Sequence, residues 1–121
     1  MGKDFESFAS ALKHLRVEKG LSLRQLASKI RKGEGSSISP AYLHDIENKN
    51  RTPSSQIIVQ LAKELAYDAD KLLVLAKKIS PIAEELLKEQ PVVGKLLRKA
   101  KEVGFTEWEK LQQVIEEQSG D

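Results

Sequence analysis

Most of the side chains able to do chemistry lie between residues 21 and 53, and their spacing narrows what that chemistry is. His44, Asp45 and Glu47 are types that ligate metals or move protons, yet neighbours one apart on a helix do not share a face. His44 and Glu47 do share one, but two ligands without a third make a poor metal site. His14 falls beside an apolar stripe, where a partly exposed helix residue is expected. The 121-residue chain has no cysteine, hence no disulfide framework and no thiolate nucleophile or ligand. No nucleophile sits with a base and no glycine-rich stretch is shaped to cradle phosphates, so neither an enzyme nor a metal or other cofactor is expected. What remains is a pattern for binding. Two short amphipathic segments, residues 22–30 (SLRQLASKI) and 39–47 (SPAYLHDIE), are joined by a turn and followed by Asn48-Lys49-Asn50-Arg51. Two such helices present one of the pair to the DNA major groove.

Those groups matter only if helices position them. The periodicity is helical nearly throughout, with no convincing period-two strand, so the fold class is all-α. A first helix over about residues 4–19 carries Phe5, Phe8, Leu12 and Leu15 on one stripe and ends at Gly20. Ser22 caps the second, Gln25 completes a capping box, and Leu21 and Leu26 are placed as a hydrophobic staple. Ser39 caps the third, Pro40 takes the first helical position, and Ile38 is placed against Leu43. Ser54 or Ser55 opens a fourth helix with Ile57, Ile58, Leu61, Ala62 and Leu65 inward. Asp68 opens a fifth with Leu72, Leu75, Ala76 and Ile79 inward. Residues 1–79 then form a compact five-helix unit, the candidate DNA-binding domain if its helix pair is used as above, and Ser80-Pro81 marks its boundary. Beyond it come helices over 82–89 and 92–103, separated by Gln90-Pro91, then Gly104. A last helix is opened by Thr106 with Glu109 as its capping-box partner, and residues 119–121 are expected to fray.

Aromatic residues make up only 5% of the chain against 40% hydrophobic overall, which calls for an aliphatic core. The net charge of +2 hides an asymmetry: residues 1–79 carry 14 Lys/Arg against 9 Asp/Glu, and residues 80–121 carry 6 against 9. A basic first part suits a polyanion, although ordinary solvated surface would look much the same. No apolar run is long enough to span a bilayer. The start MGKDFESF has no signal-peptide core, and Glu6 stands where a myristoylation signal wants Ser or Thr. A cytoplasmic protein without a membrane partner is expected.

The stretch LSLRQLASKI…ISPAYLHDIENKNRTPSSQIIVQLAKEL resembles the Cro and phage-repressor type helix-turn-helix, also called the xenobiotic-response-element family of regulators. The likeness covers roughly residues 8–76 and rests on Leu26-Ala27, Ser39, Leu43, Ile46, Glu47, Asn48-Lys49, Pro53 and Leu61-Ala62. It implies a five-helix repressor-like bundle, here with a C-terminal helical extension. It also implies a sequence-specific transcriptional regulator, most often a repressor, that binds double-stranded operator DNA as a homodimer. Ala27 would let the two motif helices cross closely, and Arg16 and Glu47 would form a partly buried structural ion pair. The base-facing side chains would be Pro40, Ala41, Tyr42, His44 and Asp45, with Pro40, Ala41 and Asp45 in the most frequent reading slots. Phosphates would meet the helix starts at Ser22 and Ser39 and the flanking Arg24, Asn48, Lys49, Asn50 and Arg51. This reading face lacks the Gln, Arg or Asn that bonds a base in bidentate fashion, so readout is expected to lean on DNA shape and phosphates. Asp45 reads either as an acceptor for cytosine or as a group orienting His44. Residues 31–38 lengthen a turn that is short in the family. Arg31 and Lys32 there either touch phosphate or belong to an inert loop.

Residues 80–121 have three readings: pairing two chains, folding back on their own, or docking another protein. Val92, Val93, Leu96, Leu97, Phe105, Trp108, Leu111 and Ile115 offer more apolar face than a small bundle needs, which favours dimerisation or partner binding. The alternative to DNA binding is a protein–protein module, an antitoxin or anti-regulator that keeps the fold and acts on a protein partner.

Overall fold

A computed structural model describes residues 5–119. Their elements are all helical: α1 (Phe8–Glu18), α2 (Leu23–Ala27), α3 (Pro40–Glu47), α4 (Ser55–Glu64), α5 (Ala69–Leu75), α6 (Pro81–Glu89), α7 (Pro91–Val103) and α8 (Trp108–Ser119). The chain divides into two compact units, Met1–Glu84 and Glu85–Asp121. The first holds α1 to α5, a five-helix bundle of the repressor type, and the helical extension follows it.

Local chemistry sets the helix starts. Ser7, Ser22, Ser39, Ser54 and Asp68 each accept a backbone N–H from three residues on, satisfying a donor that the first turn leaves orphaned. At Ser22 the box is reciprocal, with the Gln25 side chain accepting from the Ser22 N–H at 2.8 Å. The first helix therefore begins at Phe8 and not near residue 4, which lies outside the described residues. Phe5 precedes it, packs against the core and sets its ring 6.1 Å from that of Tyr67. The last helix begins at Trp108, where the Glu107 carbonyl accepts from the Leu111 N–H. The start has moved one residue past the capping box expected of Thr106.

The helix ends share a second device. Gly20 adopts φ +72°, and the Leu21 and Gly20 N–H groups close back on the Arg16 and Val17 carbonyls. The same paired closure ends α3, α4 and α5, with Lys49 (φ 66°), Ala66 (φ 53°) and Lys77 (φ 59°) in the left-handed position. A side chain there costs about 1 kcal/mol, so the packing on either side imposes those turns. Lys77 also explains why Ile79 is 49% exposed and not inward: α5 has already ended, and Leu73 takes the buried place beside Leu72.

The core is aliphatic and lies in the first unit, around Leu12, Leu26, Leu43, Ile46, Ile58 and Leu61, all fully buried. Into its edge runs one ion pair. The Arg16 Nε donates to Glu47 Oε2 at 2.6 Å and its Nη2 to Oε1 at 3.0 Å, while Nη1 donates to the Leu21 carbonyl at 2.8 Å. The side chains are only 12% and 4% exposed. The hydrogen bond to Glu47 holds Arg16 above its usual pKa against the opposing effect of burial, so the guanidinium stays charged. Removing one partner of such a pair strands the other charge. Glu47→Ala is expected to lower stability by about 3 kcal/mol, and Arg16→Met with Glu47→Leu to recover most of that loss. Urea unfolding of the three proteins checks this; an unchanged midpoint for Glu47→Ala would remove the pair from any structural role.

Candidate nucleic-acid interface

The rotation of α3 decides which side chains it offers. Leu43 and Ile46 are fully buried, and Glu47 is held by Arg16. At 3.6 residues per turn, sealing that face turns Ala41, His44 and Asn48 outward, with Tyr42 and Asp45 on its flank. Ala27 is 1% exposed, small enough for α2 to cross α3 closely.

The sequence-derived set divides by what the structure brings together. Pro40 is half-buried in the first turn, and Ala41 and His44 are exposed. The Asn48 side-chain amide lies 3.1 Å from His44 Nε2 and donates to the His44 carbonyl at 2.8 Å. Asp45 faces away from His44: its Oδ2 lies 3.6 Å from the Nε of Arg51. The Arg51 guanidinium in turn sits over the Tyr42 ring, 5.5 Å from its centroid. Arg51 is thus folded back on α3. Arg24, Lys49 and Asn50 remain exposed. The Ser22 and Ser39 hydroxyls cap their own helices, and the Ser22 N–H is already satisfied by Gln25.

The stretched turn carries structure that sequence reasoning missed. The second helix ends at Ala27, not residue 30, because Lys29 and Ile30 bond only three residues back, to Leu26 and Ala27. This tighter turn swings Ile30 fully into the core and frees its carbonyl to accept from the Ile38 N–H at 3.0 Å. Above that neck Arg31 pairs with Ser37 in an antiparallel bridge. Lys32 to Gly35 make a turn closed by the Gly35 N–H on the Lys32 carbonyl, with Gly35 at φ +104°, where a side chain would be strained. Two glycines around Glu34 were the available signal. Gln60 of α4 clamps the hairpin: its Oε1 accepts from the Arg31 N–H at 2.7 Å and its Nε2 donates to the Arg31 carbonyl at 2.8 Å.

Within the hairpin the charges are unequally disposed. The Arg31 Nη1 donates to the Ser28 carbonyl at 2.6 Å, which ties that cation back toward α2. Ser36 donates to Glu34 at 2.6 Å, and this bond holds the carboxyl below its usual pKa. Lys32 lines an open groove of about 550 Å³ together with Ser39, Ala41, Tyr42, Asp45, Arg51 and Ile57. Among the described residues no group of three His, Cys, Asp or Glu could hold a metal ion, and no helix is long and apolar enough to cross a membrane.

The model of a family described as a helix-turn-helix domain matches residues 9–78. No curated protein matches the chain. Among solved structures, the clp gene regulator ClgR from Corynebacterium glutamicum superposes with a TM-score of 0.49 at 25% identity, over 78% of this chain and 90% of that one. PlcR from Bacillus thuringiensis, solved with the peptide PapR7 and DNA, gives a TM-score of 0.50 at 21% identity, over 90% of this chain and 36% of that one. The SinR protein/SinI protein complex gives 0.46 at 26%, over 92% and 93%. Of these, the PlcR likeness bears on the fold.

The clamp has a measurable consequence. Gln60→Ala is expected to speed deuterium exchange at the Arg31 amide by roughly fivefold or more, the equivalent of one net hydrogen bond. The Ile38 amide, bonded to Ile30 at the neck, should keep its protection. Amide exchange followed by NMR reads both, and an unchanged Arg31 rate would show that the hairpin stands without Gln60.

Proposed function

We propose that this chain, which belongs to the helix-turn-helix domain family, is a repressor that occupies operator DNA as a homodimer. At the broader level it is a non-enzymatic DNA-binding transcriptional regulator. The observation that carries the reading is the α2–α3 pair, matched by the family over its full length, with the inner face of α3 sealed and its outer face open. An obstacle across a promoter needs only tight, well-placed binding, and a two-fold operator calls for two copies of α3 one helical turn apart.

In this reading α3 lies in the major groove, with Pro40, Ala41, Tyr42, His44 and Asp45 toward the bases. Ser22, Arg24, Ser39, Asn48, Lys49 and Asn50 approach the phosphates on either side. Residues 80–121 form the dimer arm. Its support is the concentration of exposed apolar side chains there, including Ile82, Leu86, Val92, Leu96, Leu97 and Ile115. A face of that kind favours a second copy over water. In this reading the protein acts on genomic DNA in the cytoplasm.

Counterion release gives the binding a signature. Affinity for duplex fragments from upstream of its own gene should fall steeply with salt, and Arg24→Ala with Lys49→Ala should reduce the log–log slope by about two. Absence of any retarded fragment at low salt would reject the DNA reading, and a parent-like slope would reject the phosphate assignment. Sedimentation tests the arm: the full chain should run as a dimer at micromolar concentration and Leu96→Asp with Ile115→Asp as a monomer. A parent monomer, or a variant that stays dimeric, would remove that role from residues 80–121.

A further inference from the structure

Ala41 and His44 on the outer face of α3 cannot bond a base in two places at once, and the amide nitrogen of Asn48 at the helix end is already committed to His44, yet the groove beside the helix contains a side chain that can. Arg51 comes from the loop after the helix and lies back across it, in the groove that Ala41, Tyr42 and Asp45 line. Two contacts hold it there: the Tyr42 ring beneath the guanidinium at 5.5 Å, and the Asp45 carboxylate 3.6 Å from Nε. Neither Nη carries a hydrogen bond among the described residues, and the side chain is 60% exposed. A planar fork with its Nε turned toward a carboxylate and both Nη groups open is what guanine O6 and N7 accept in the major groove.

We infer that Arg51 is a base-reading residue of this protein, specific for guanine, and that Asp45 and Tyr42 are the positioning residues that hold its guanidinium beside α3. The inference rests on the DNA-binding reading above and adds to it, giving the bases an Arg51 that the family resemblance had set against the phosphates. It also accounts for Asp45. A carboxylate facing a phosphate-lined groove is repelled when bare, and a cation 3.6 Å away offsets that repulsion. The ring and the carboxylate also restrict a flexible side chain before DNA arrives, so less ordering entropy is lost on binding. The αL turn at Lys49 contributes by reversing the chain directly after α3, with the Asn50 N–H closing on the Asp45 carbonyl at 2.9 Å, so that Arg51 returns toward the helix it follows.

Phosphate contact and base contact leave different marks. Loss of a phosphate contact weakens all sequences alike and flattens the salt dependence, whereas loss of a base contact relaxes preference at one position. The full chain and its Arg51→Lys, Arg51→Ala and Asp45→Asn variants are each used to select duplexes from a random-sequence pool. Affinities are then measured on the parent's selected duplex and on the same duplex with each guanine replaced. Arg51→Lys keeps the charge and loses the fork. It should reduce the preference for one guanine per half-site about tenfold, with the salt slope unchanged. Arg51→Ala should lose the same preference, and Asp45→Asn part of it. Circular dichroism confirms that these surface variants fold. If Arg51→Lys selects the parent's sequence with the same preference at every guanine, or if the parent selects no guanine, the base-reading role falls while DNA binding stands. If the parent retains no duplex even at low salt, the DNA-binding reading falls with it.

Discussion

What α3 shows to solvent depends on how it is turned about its axis, and one partly buried charge pair anchors that turn. Glu47 at the end of α3 is gripped on two oxygens by Arg16 of α1, which also bonds the Leu21 carbonyl at the entrance to α2. A single guanidinium thereby ties together three elements that must keep a common angle. Apolar packing by Leu43 and Ile46 supplies the greater stabilisation, since burial of each side chain contributes about 2 kcal/mol. Apolar contact is tolerant of a small rotation, however, and a bidentate fork is not. The pair therefore acts on direction more than on energy, and so sets which face of α3 is left open.

From that anchor outward the structure changes character. Around the core the residues are aliphatic and their polar groups few. On the outer face of α3 the contacts are thin and partly exposed: Asn48 on His44, Arg51 on Tyr42 and Asp45. Such contacts contribute little to folding at this exposure. In the reading proposed above, their worth lies in choosing conformations for side chains that DNA would otherwise have to order.

The caps were legible in the sequence because they are settled within four residues: Ser22 with Gln25, Ser39 with Pro40, Gly20 after α1. The Arg16–Glu47 geometry is one that the family resemblance implied and that no local pattern could have revealed. The end of α2 escaped because it is decided elsewhere. Ile30 leaves the helix to fill the core, and the hairpin beyond it is held by Gln60, 29 positions along the chain. Ile79 failed for a related reason, since the 3.6-residue pattern continues past the point where Lys77 stops the helix. The meeting of Tyr42, Asp45 and Arg51 was hidden behind the backbone reversal at Lys49, a position where sequence alone gives no cause to expect a left-handed residue.

The hydrogen bond between Ile38 and Ile30 closes a neck beneath the hairpin, and both residues are buried. Chain above such a closure can lengthen, shorten or change composition with small entropic consequence and without disturbing either motif helix. For a lineage of regulators this separates two kinds of inheritance. The helices are constrained by the core, while the segment standing beside α3 can be exchanged as a cassette. In the reading proposed above, a change of loop would alter the flank of α3 and leave α3 as it was.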